Sequence, residues 1–226
     1  MEIPNTILES MLRSYPELEP ISEDIRSAYL LLVKCYDLGG TVLCCGNGGS
    51  AADADHIVGE LMKGFRLKRP LSGSIARLFS GTPESRRLAA SLQNPLPAIS
   101  LTGQAALLSA FANDVSPDMV YAQQVLGYGA GRTALLIALS TSGSSANIVQ
   151  AVETASCLEI PSIAITGAAG GRLKNLATLC LRIPADETFR VQEYTLPVYH
   201  ALCAMVEAHY FAAKEPCGSA DANPVE

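Results

Sequence analysis

Thr41-Val42-Leu43-Cys44-Cys45-Gly46-Asn47-Gly48-Gly49-Ser50 is a short apolar run that ends in a glycine-rich turn. A run without polar interruption suits a strand covered on both faces, the usual condition of a parallel sheet. Working outward, comparable β-rich runs lie at Leu96–Leu101, Thr133–Ser140, Pro161–Thr166 and Thr178–Ile183. Helical stretches near 50–64, 104–112, 117–127 and 144–159 separate them, and a long final helix spans about 188–212. Two helices precede the first strand, near 4–14 and 22–37. Ser22 is the expected N-cap of the second, with Glu23 and Asp24 in its first turn and Gly39-Gly40 at its end. Strands alternating with helices predict an α/β fold, a three-layer sandwich with a central parallel sheet flanked by helices and with added N-terminal helices. Residues 1–213 are expected to form a single domain. The polar stretch 214–226, with Pro216 and Pro224, is expected to be a disordered tail.

Composition narrows the function classes. Hydrophobic residues make up 49% of the 226 and charged residues 17%, which argues against disorder. A chain of this size buries roughly 70% of the surface that its unfolded form exposes. No apolar run reaches the ~20 residues of a membrane helix. Met1-Glu2-Ile3-Pro4-Asn5 lacks a basic segment followed by an apolar one, so no signal peptide is expected. The net charge of −6 disfavours nucleic acid as a partner. Cysteines 35, 44, 45, 157, 180, 203 and 217 are odd in number and form no Cys-x-x-Cys pair. They are expected to be reduced, mostly buried thiols of a cytoplasmic protein, without a Cys-based metal site.

One segment departs from the acidic balance. Residues 63–87 hold Lys63, Arg66, Lys68, Arg69, Arg77, Arg86 and Arg87, with Glu84 the sole acid. Thr82-Pro83-Glu84 marks a helix start, Thr82 as cap and Pro83 at the first position. The segment is either a solvated excursion or a lid in which Arg66, Arg69 or the Arg86–Arg87 pair holds an anionic substrate.

Parallel sheets bind ligands at the carboxyl ends of their strands, and two such ends carry suitable loops. Gly46-x-Gly48-x-x-Ala51 matches a dinucleotide fingerprint, but the acid expected about 20 positions later is replaced by Phe65-Arg66-Leu67-Lys68-Arg69. A tight turn without a ligand is the alternative there. Ser140-Thr141-Ser142-Gly143-Ser144-Ser145 clusters hydroxyls ahead of the helix starting at Ala146, where the dipole and free N–H groups favour an anion. No Gly-x-x-x-x-Gly-Lys-Ser/Thr occurs, so a sugar phosphate suits this loop better than a nucleoside triphosphate.

The histidines are His56, His200 and His209. His56 and Glu60 stand i, i+4 on the helix after the glycine loop, with Cβ atoms about 5–6 Å apart. Such a pair serves a metal, a proton relay or a surface salt bridge. Gln192 and His200 are separated by about 12 Å of helical rise. They reach one ion only by extending toward each other, through a kink at Pro197, or with residues from different subunits.

Taken together, Gly46-Asn47-Gly48-Gly49-Ser50, His56-x-x-x-Glu60-Leu61, Asn113-Asp114, Ser140-Thr141-Ser142-Gly143-x-Ser145-Ala146-Asn147 and Arg190-Val191-Gln192-Glu193 with His200 resemble the phosphoheptose isomerases of the SIS (sugar isomerase) superfamily. The resemblance runs from about residue 20 to 212. It implies a flavodoxin-like SIS domain and a homotetramer with active sites at subunit interfaces. The implied reaction is the aldose–ketose isomerisation of sedoheptulose 7-phosphate to a D-glycero-D-manno-heptose 7-phosphate. By matching position, His56, Glu60, Gln192 and His200 would bind zinc, one ion per active site. Asn47, Gly48, Gly49, Ser50, Asn113, Asp114, Ser140, Thr141, Ser142, Ser145 and Gln192 would contact substrate. Glu60 and His200 would exchange protons with it. An enediolate route needs a base, an acid and support for an oxyanion, and a carboxylate, an imidazole and a metal supply these.

Three departures bear on substrate identity. An insertion of roughly twenty residues lies near 72–94, Phe189 stands where some members have an acid, and Ala51 and Ala52 replace a more polar pair. The competing readings are a non-catalytic phosphosugar-binding regulator or scaffold, and an isomerase of a different phosphosugar.

Overall fold

Strands β1 (Thr41–Cys45), β2 (Ala98–Ser100), β3 (Ala134–Leu139), β4 (Ser162–Thr166) and β5 (Leu179–Arg182) form one parallel sheet in the order β2-β1-β3-β4-β5. All five fall within the apolar runs that the sequence marks. The computed structural model describes residues 2–212, so the expected disordered tail and Cys217 lie outside the described residues. The helices are α1 (Glu2–Ser14), α2 (Ser22–Asp37), α3 (Gly49–Met62), α4 (Gly73–Leu78), α5 (Pro83–Ser91), α6 (Ala105–Asp114), α7 (Val120–Gly129), α8 (Ala146–Cys157) and α9 (Thr188–Phe211).

Alternation along the strands divides the core in two, because successive side chains point to opposite faces. Val42, Cys44, Leu135, Ile137, Ile163 and Leu181 pack with residues of α1, α2, α3 and α9. Leu43, Cys45, Leu136, Ala138 and Ala164 pack with residues of α7 and α8. The register places Leu43 beside both Ile99 and Leu136. The chain leaves β1 outward to β2, then crosses back to β3 on the other side. The carboxyl ends of β1 and β3 are therefore the topological switch point of the sheet.

Two local expectations change. Ser22 does not cap α2: it is the first helical residue, Ile21 holds the cap position without a side-chain bond, and a 3-10 turn at Pro16–Ile21 runs directly into the helix. The stretch expected as one helix from 117 is a 3-10 turn, Pro117–Met119, capped by Ser116 and followed by α7. Thr82 caps α5 as expected, in a reciprocal capping box with Ser85 and with Pro83 at the first position. Of the described cysteines, Cys35, Cys44, Cys45 and Cys203 are buried free thiols, Cys180 is half-buried and Cys157 exposed.

The basic segment divides in two. Arg69 is buried and 0% exposed in its side chain, against Glu207 of α9 at 1%. Its Nε donates to Glu207 Oε1 (2.8 Å), Nη1 to the Leu61 carbonyl (2.7 Å) and Nη2 to the Glu60 carbonyl (3.2 Å). Glu207 also accepts the backbone N–H groups of Phe65, Arg66 and Leu67 at 2.7, 2.7 and 3.0 Å. Arg69 is thus consumed by the fold and does not serve as an anion clamp for substrate. Beyond it, α4 and α5 contain no buried residue. The excursion leaves and returns at a narrow neck, where Pro70 pairs with Gln93 and Asn94 N–H donates to the Arg69 carbonyl at 2.7 Å.

Candidate active site at the switch point

The glycine loop after β1 and the serine loop after β3 lie side by side because their strands are neighbours. Gly48 adopts φ 55° and ψ −122°, a conformation that side-chain-bearing residues rarely reach. Gly49 lies against the Gln192 side chain: a Cβ there would stand 2.5 Å from its amide nitrogen and would push that side chain aside. The buried Tyr121 hydroxyl donates to the Gly46 carbonyl at 2.7 Å, and burial pushes the Tyr121 pKa up to about 12, so it stays a donor. Ser50 is buried in the first turn of α3.

In the serine loop, Ser145 holds the N-cap position of α8 yet makes no capping bond. Its Oγ lies instead 3.1 Å from Ser140 Oγ, which is 3.5 Å from Ser142 Oγ. Three hydroxyls therefore converge ahead of a helix N-terminus. Asn47 and Asn147 exchange reciprocal amide hydrogen bonds of 2.8 and 2.9 Å and tie the two loops together. A third loop, which sequence reasoning passed over, supports the arrangement. Gly167 N–H donates to the Thr141 carbonyl (2.9 Å) and Leu173 N–H to the Gly143 carbonyl (3.0 Å). Gly143 packs so closely on Gly170-Gly171 that a Cβ on it would meet the Gly170 carbonyl oxygen at 2.2 Å. Gly170-Gly171 in the sequence was the available signal.

The titratable group lies where α3 packs on α9. Gly49 meets Gln192, and seven residues further along each helix His56 meets Tyr199, so the two helices run in the same direction. His56 Nε2 is 3.2 Å from Glu60 Oε1, and Lys63 Nζ is 3.0 Å from Glu60 Oε2. The His200 ring stands edge-on to His56 with centroids 5.0 Å apart, and tilted on Phe65 at 5.3 Å. Burial first, then His56, lowers the His200 pKa below the usual imidazole value, and Glu60 opposes this. His56, Glu60 and His200 are thus brought together. Within this chain Gln192 sits about 10 Å lower along the helix pair, beside Gly49. Asn113 and Asp114 are exposed at the end of α6, where Asn113 Nδ2 donates to Asp114 Oδ1 at 2.9 Å rather than to either loop. Phe189 is exposed. Asp53 and Tyr199, which carried no motif, enter the group: the Tyr199 hydroxyl is 2.9 Å from His56 Nδ1 and donates to Asp53 Oδ1 at 3.3 Å.

The donor set suits a zinc ion in chemistry: two imidazoles, a carboxylate and an amide. The 3.2 Å between His56 Nε2 and Glu60 Oε1 is close to the ~3.4 Å that two zinc donors span at a tetrahedral angle. His200 Nε2 is buried and lacks any hydrogen-bond partner, as a ligand nitrogen would before meeting an ion. Among the described residues no three His, Cys, Asp or Glu side chains already converge on one point.

Comparison with known proteins agrees with this architecture. Residues 8–93 and 86–167 match the SIS domain family. A phosphoheptose isomerase of Shewanella sp. (strain ANA-3) is 32% identical over 216 residues, 94% of this chain and 97% of the relative. The structure of a phosphoheptose isomerase from Francisella tularensis superposes with a TM-score of 0.70 at 33% identity, covering 89% of this chain and 95% of that one. That of the phosphoheptose isomerase from Neisseria gonorrhoeae gives 0.69 at 29% identity, covering 92% and 98%. Fold, loop chemistry and identity along nearly the whole length lead to one conclusion: this chain belongs to the phosphoheptose isomerase family of SIS-domain proteins.

Proposed function

We propose that this protein is a cytoplasmic aldose–ketose isomerase that converts sedoheptulose 7-phosphate to a D-glycero-D-manno-heptose 7-phosphate, with zinc held by His56, Glu60, Gln192 and His200. The observation that carries the reading is the presence of two chemistries joined by α3, which starts in the glycine loop at the switch point and carries His56 and Glu60 further along its length. A hydroxyl-rich helix N-terminus lies at the switch point. A carboxylate and two imidazoles follow on the helices beside it. The first suits a phosphate; the second suits proton transfer.

In the reaction a proton leaves C1 of the ketose and returns at C2, while the hydroxyl proton passes from O1 to O2. Ser140, Thr141, Ser142 and Ser145, with the N–H groups opening α8, hold the phosphate and fix the reacting carbons at a set distance. Asn47, Gly48, Gly49 and Ser50 line the sugar chain, and Asn113 and Asp114 contact its hydroxyls. Glu60 and His200 take and return the carbon-bound proton. Burial first, then His56, lowers the His200 pKa against the opposing Glu60, which favours the neutral ring that either a ligand or a base requires. When bound, zinc supplies Lewis-acid polarisation of the carbonyl and enediolate oxygens.

We place this site at the interfaces of a homotetramer. The distance between Gln192 and His200 within one chain supports completion of the site by a second copy. So do the apolar side chains left exposed on and beside the excursion: Ile75, Leu78, Leu88 and Leu92. Free cysteines support a reducing compartment. No helix among the described residues is long and apolar enough to cross a membrane.

The test is incubation of the zinc-loaded protein with a panel of ketose phosphates, monitoring aldose formation. Glu60→Gln and His200→Asn should each lower turnover at least about a hundredfold. Near-normal turnover in either variant removes that residue from the mechanism. Sugar-phosphate binding without product from any ketose replaces the isomerase with a non-catalytic binder. Turnover confined to another ketose phosphate replaces only the substrate.

A further inference from the structure

We infer that Tyr199, itself oriented by Asp53, is a positioning residue that holds His56 with its proton on Nδ1 and its lone pair on Nε2, facing Glu60. The inference rests on the proposed metal role of His56 and adds the two residues that prepare it. Tyr199 is 2% exposed, and its ring stands edge-on to both His56 (5.5 Å) and His200 (5.0 Å). A buried tyrosine needs one partner for its hydroxyl; this one has two, Asp53 and His56, on the same face of α3.

A phenol has a single proton. The Asp53 carboxylate can only accept, so the Tyr199 proton points to Asp53 Oδ1. The phenol oxygen is then an acceptor toward His56 Nδ1 at 2.9 Å, and Nδ1 must carry the imidazole proton. In the neutral ring this leaves a lone pair on Nε2, 3.2 Å from the Glu60 carboxylate oxygen. Two acceptors facing each other at that distance favour a positive charge between them. A histidine ligand whose other nitrogen donates to a fixed acceptor is the usual arrangement for binding a metal, and loss of such an acceptor typically costs 10–100-fold in metal affinity. The chain of contacts Asp53–Tyr199–His56–Glu60 is therefore directional. It links the middle of α9 to the two donors of α3, and it gives Asp53 and Tyr199 a role that packing alone would not require.

The experiment uses the full-length protein with nitrogen-15-labelled histidine, in two measurements. The first reads the His56 tautomer in metal-free protein by long-range proton–nitrogen correlation at a pH where the ring is neutral. Wild type should show Nδ1–H. Tyr199→Phe should lose that preference, and Asp53→Ala should turn the hydroxyl proton onto Nδ1 and favour Nε2–H. Asp53→Asn, which keeps an oxygen acceptor, should retain Nδ1–H. The second measures zinc affinity by chelator competition. Tyr199→Phe and Asp53→Ala should each bind zinc about 10–100-fold more weakly. Should Tyr199→Phe fail to fold, the Asp53 pair carries both measurements. A folded variant without the hydroxyl or its acceptor that keeps both Nδ1–H and wild-type zinc affinity overturns the inference. His56→Ala separates it from the reading beneath: zinc affinity unmoved by His56→Ala removes the metal role of His56, whatever its tautomer.

Discussion

The two halves of the basic segment are both net positive and meet opposite fates. From Lys63 to Pro70 the chain is fastened to α9. Glu207 receives three consecutive backbone N–H groups and the Arg69 guanidinium, and Arg69 closes over the Glu60 and Leu61 carbonyls with its cationic centre 4.9 Å from the Phe211 ring centroid. From Leu71 to Asn94 no residue is buried, and the two short helices hold themselves by local bonds such as the Thr82–Ser85 box. A buried charge is tolerated only when its partner and its hydrogen bonds are complete. The comparison teaches that the first half belongs to the core although it is loop by conformation. Its arginine bonds the carbonyl of Glu60, so the clasp also sets the end of the helix that carries the proposed proton-transfer carboxylate. The second half is helical and contributes little to this chain's own core.

The comparison can be broken most easily at Glu207. Glu207→Gln leaves Arg69 buried without a counter-charge, and breaking a buried pair costs about 3–5 kcal/mol. Denaturant unfolding at fixed protein concentration reads that loss; a loss below about 1 kcal/mol would show that the clasp is not a buried ion pair in solution.

A smaller effect is expected at Arg69. Arg69→Lys keeps the charge and loses the fork that reaches Glu207, Leu61 and Glu60 together. A loss of about 1–3 kcal/mol follows from buried carbonyls left without donors. Amide exchange at Phe65, Arg66 and Leu67 should stay slow, because Glu207 still accepts from them. Fast exchange there would mean that Arg69, not Glu207, orders the loop.

The smallest effect is expected from removing the outer half. Pro70 and Gln93 are paired across the neck, so a short Gly-Ser link can replace residues 73–92. Unfolding free energy of the isolated chain should change by no more than about 1 kcal/mol, the scale of a loop-closure term. A loss comparable to that of Glu207→Gln would place the excursion in the core and dissolve the distinction. Unchanged stability with altered oligomeric state would assign its exposed apolar side chains to contacts between copies.

Much of the site was legible because its signals are local. Gly46–Ser50 and Ser140–Ser145 announce themselves by composition next to apolar runs, and His56 with Glu60 by helical spacing. The clasp and the histidine support were not. Tyr199 lies 146 residues from Asp53, and Glu207 lies 138 from Arg69. Read along the chain, Tyr199 is one more apolar position on a buried helix, and Glu207 interrupts such a helix with a charge. Arg69 was legible as a cation and illegible as a buried one, because its environment comes from α9 at the far end of the chain.

The sequence by itself determined the kinds of element, their order, and the two loops rich in glycine and hydroxyl groups. Those follow from apolar periodicity and backbone stereochemistry, which act over a few residues. Only the tertiary structure decided that β1 and β3 are neighbours, so that the loops share one rim, and that α3 and α9 run side by side, so that His56 meets Tyr199 and His200. It also decided which of seven basic residues between 63 and 87 is withdrawn from solvent. Burial and partnership are properties of elements distant along the chain once packed, and a charge takes its meaning from what surrounds it.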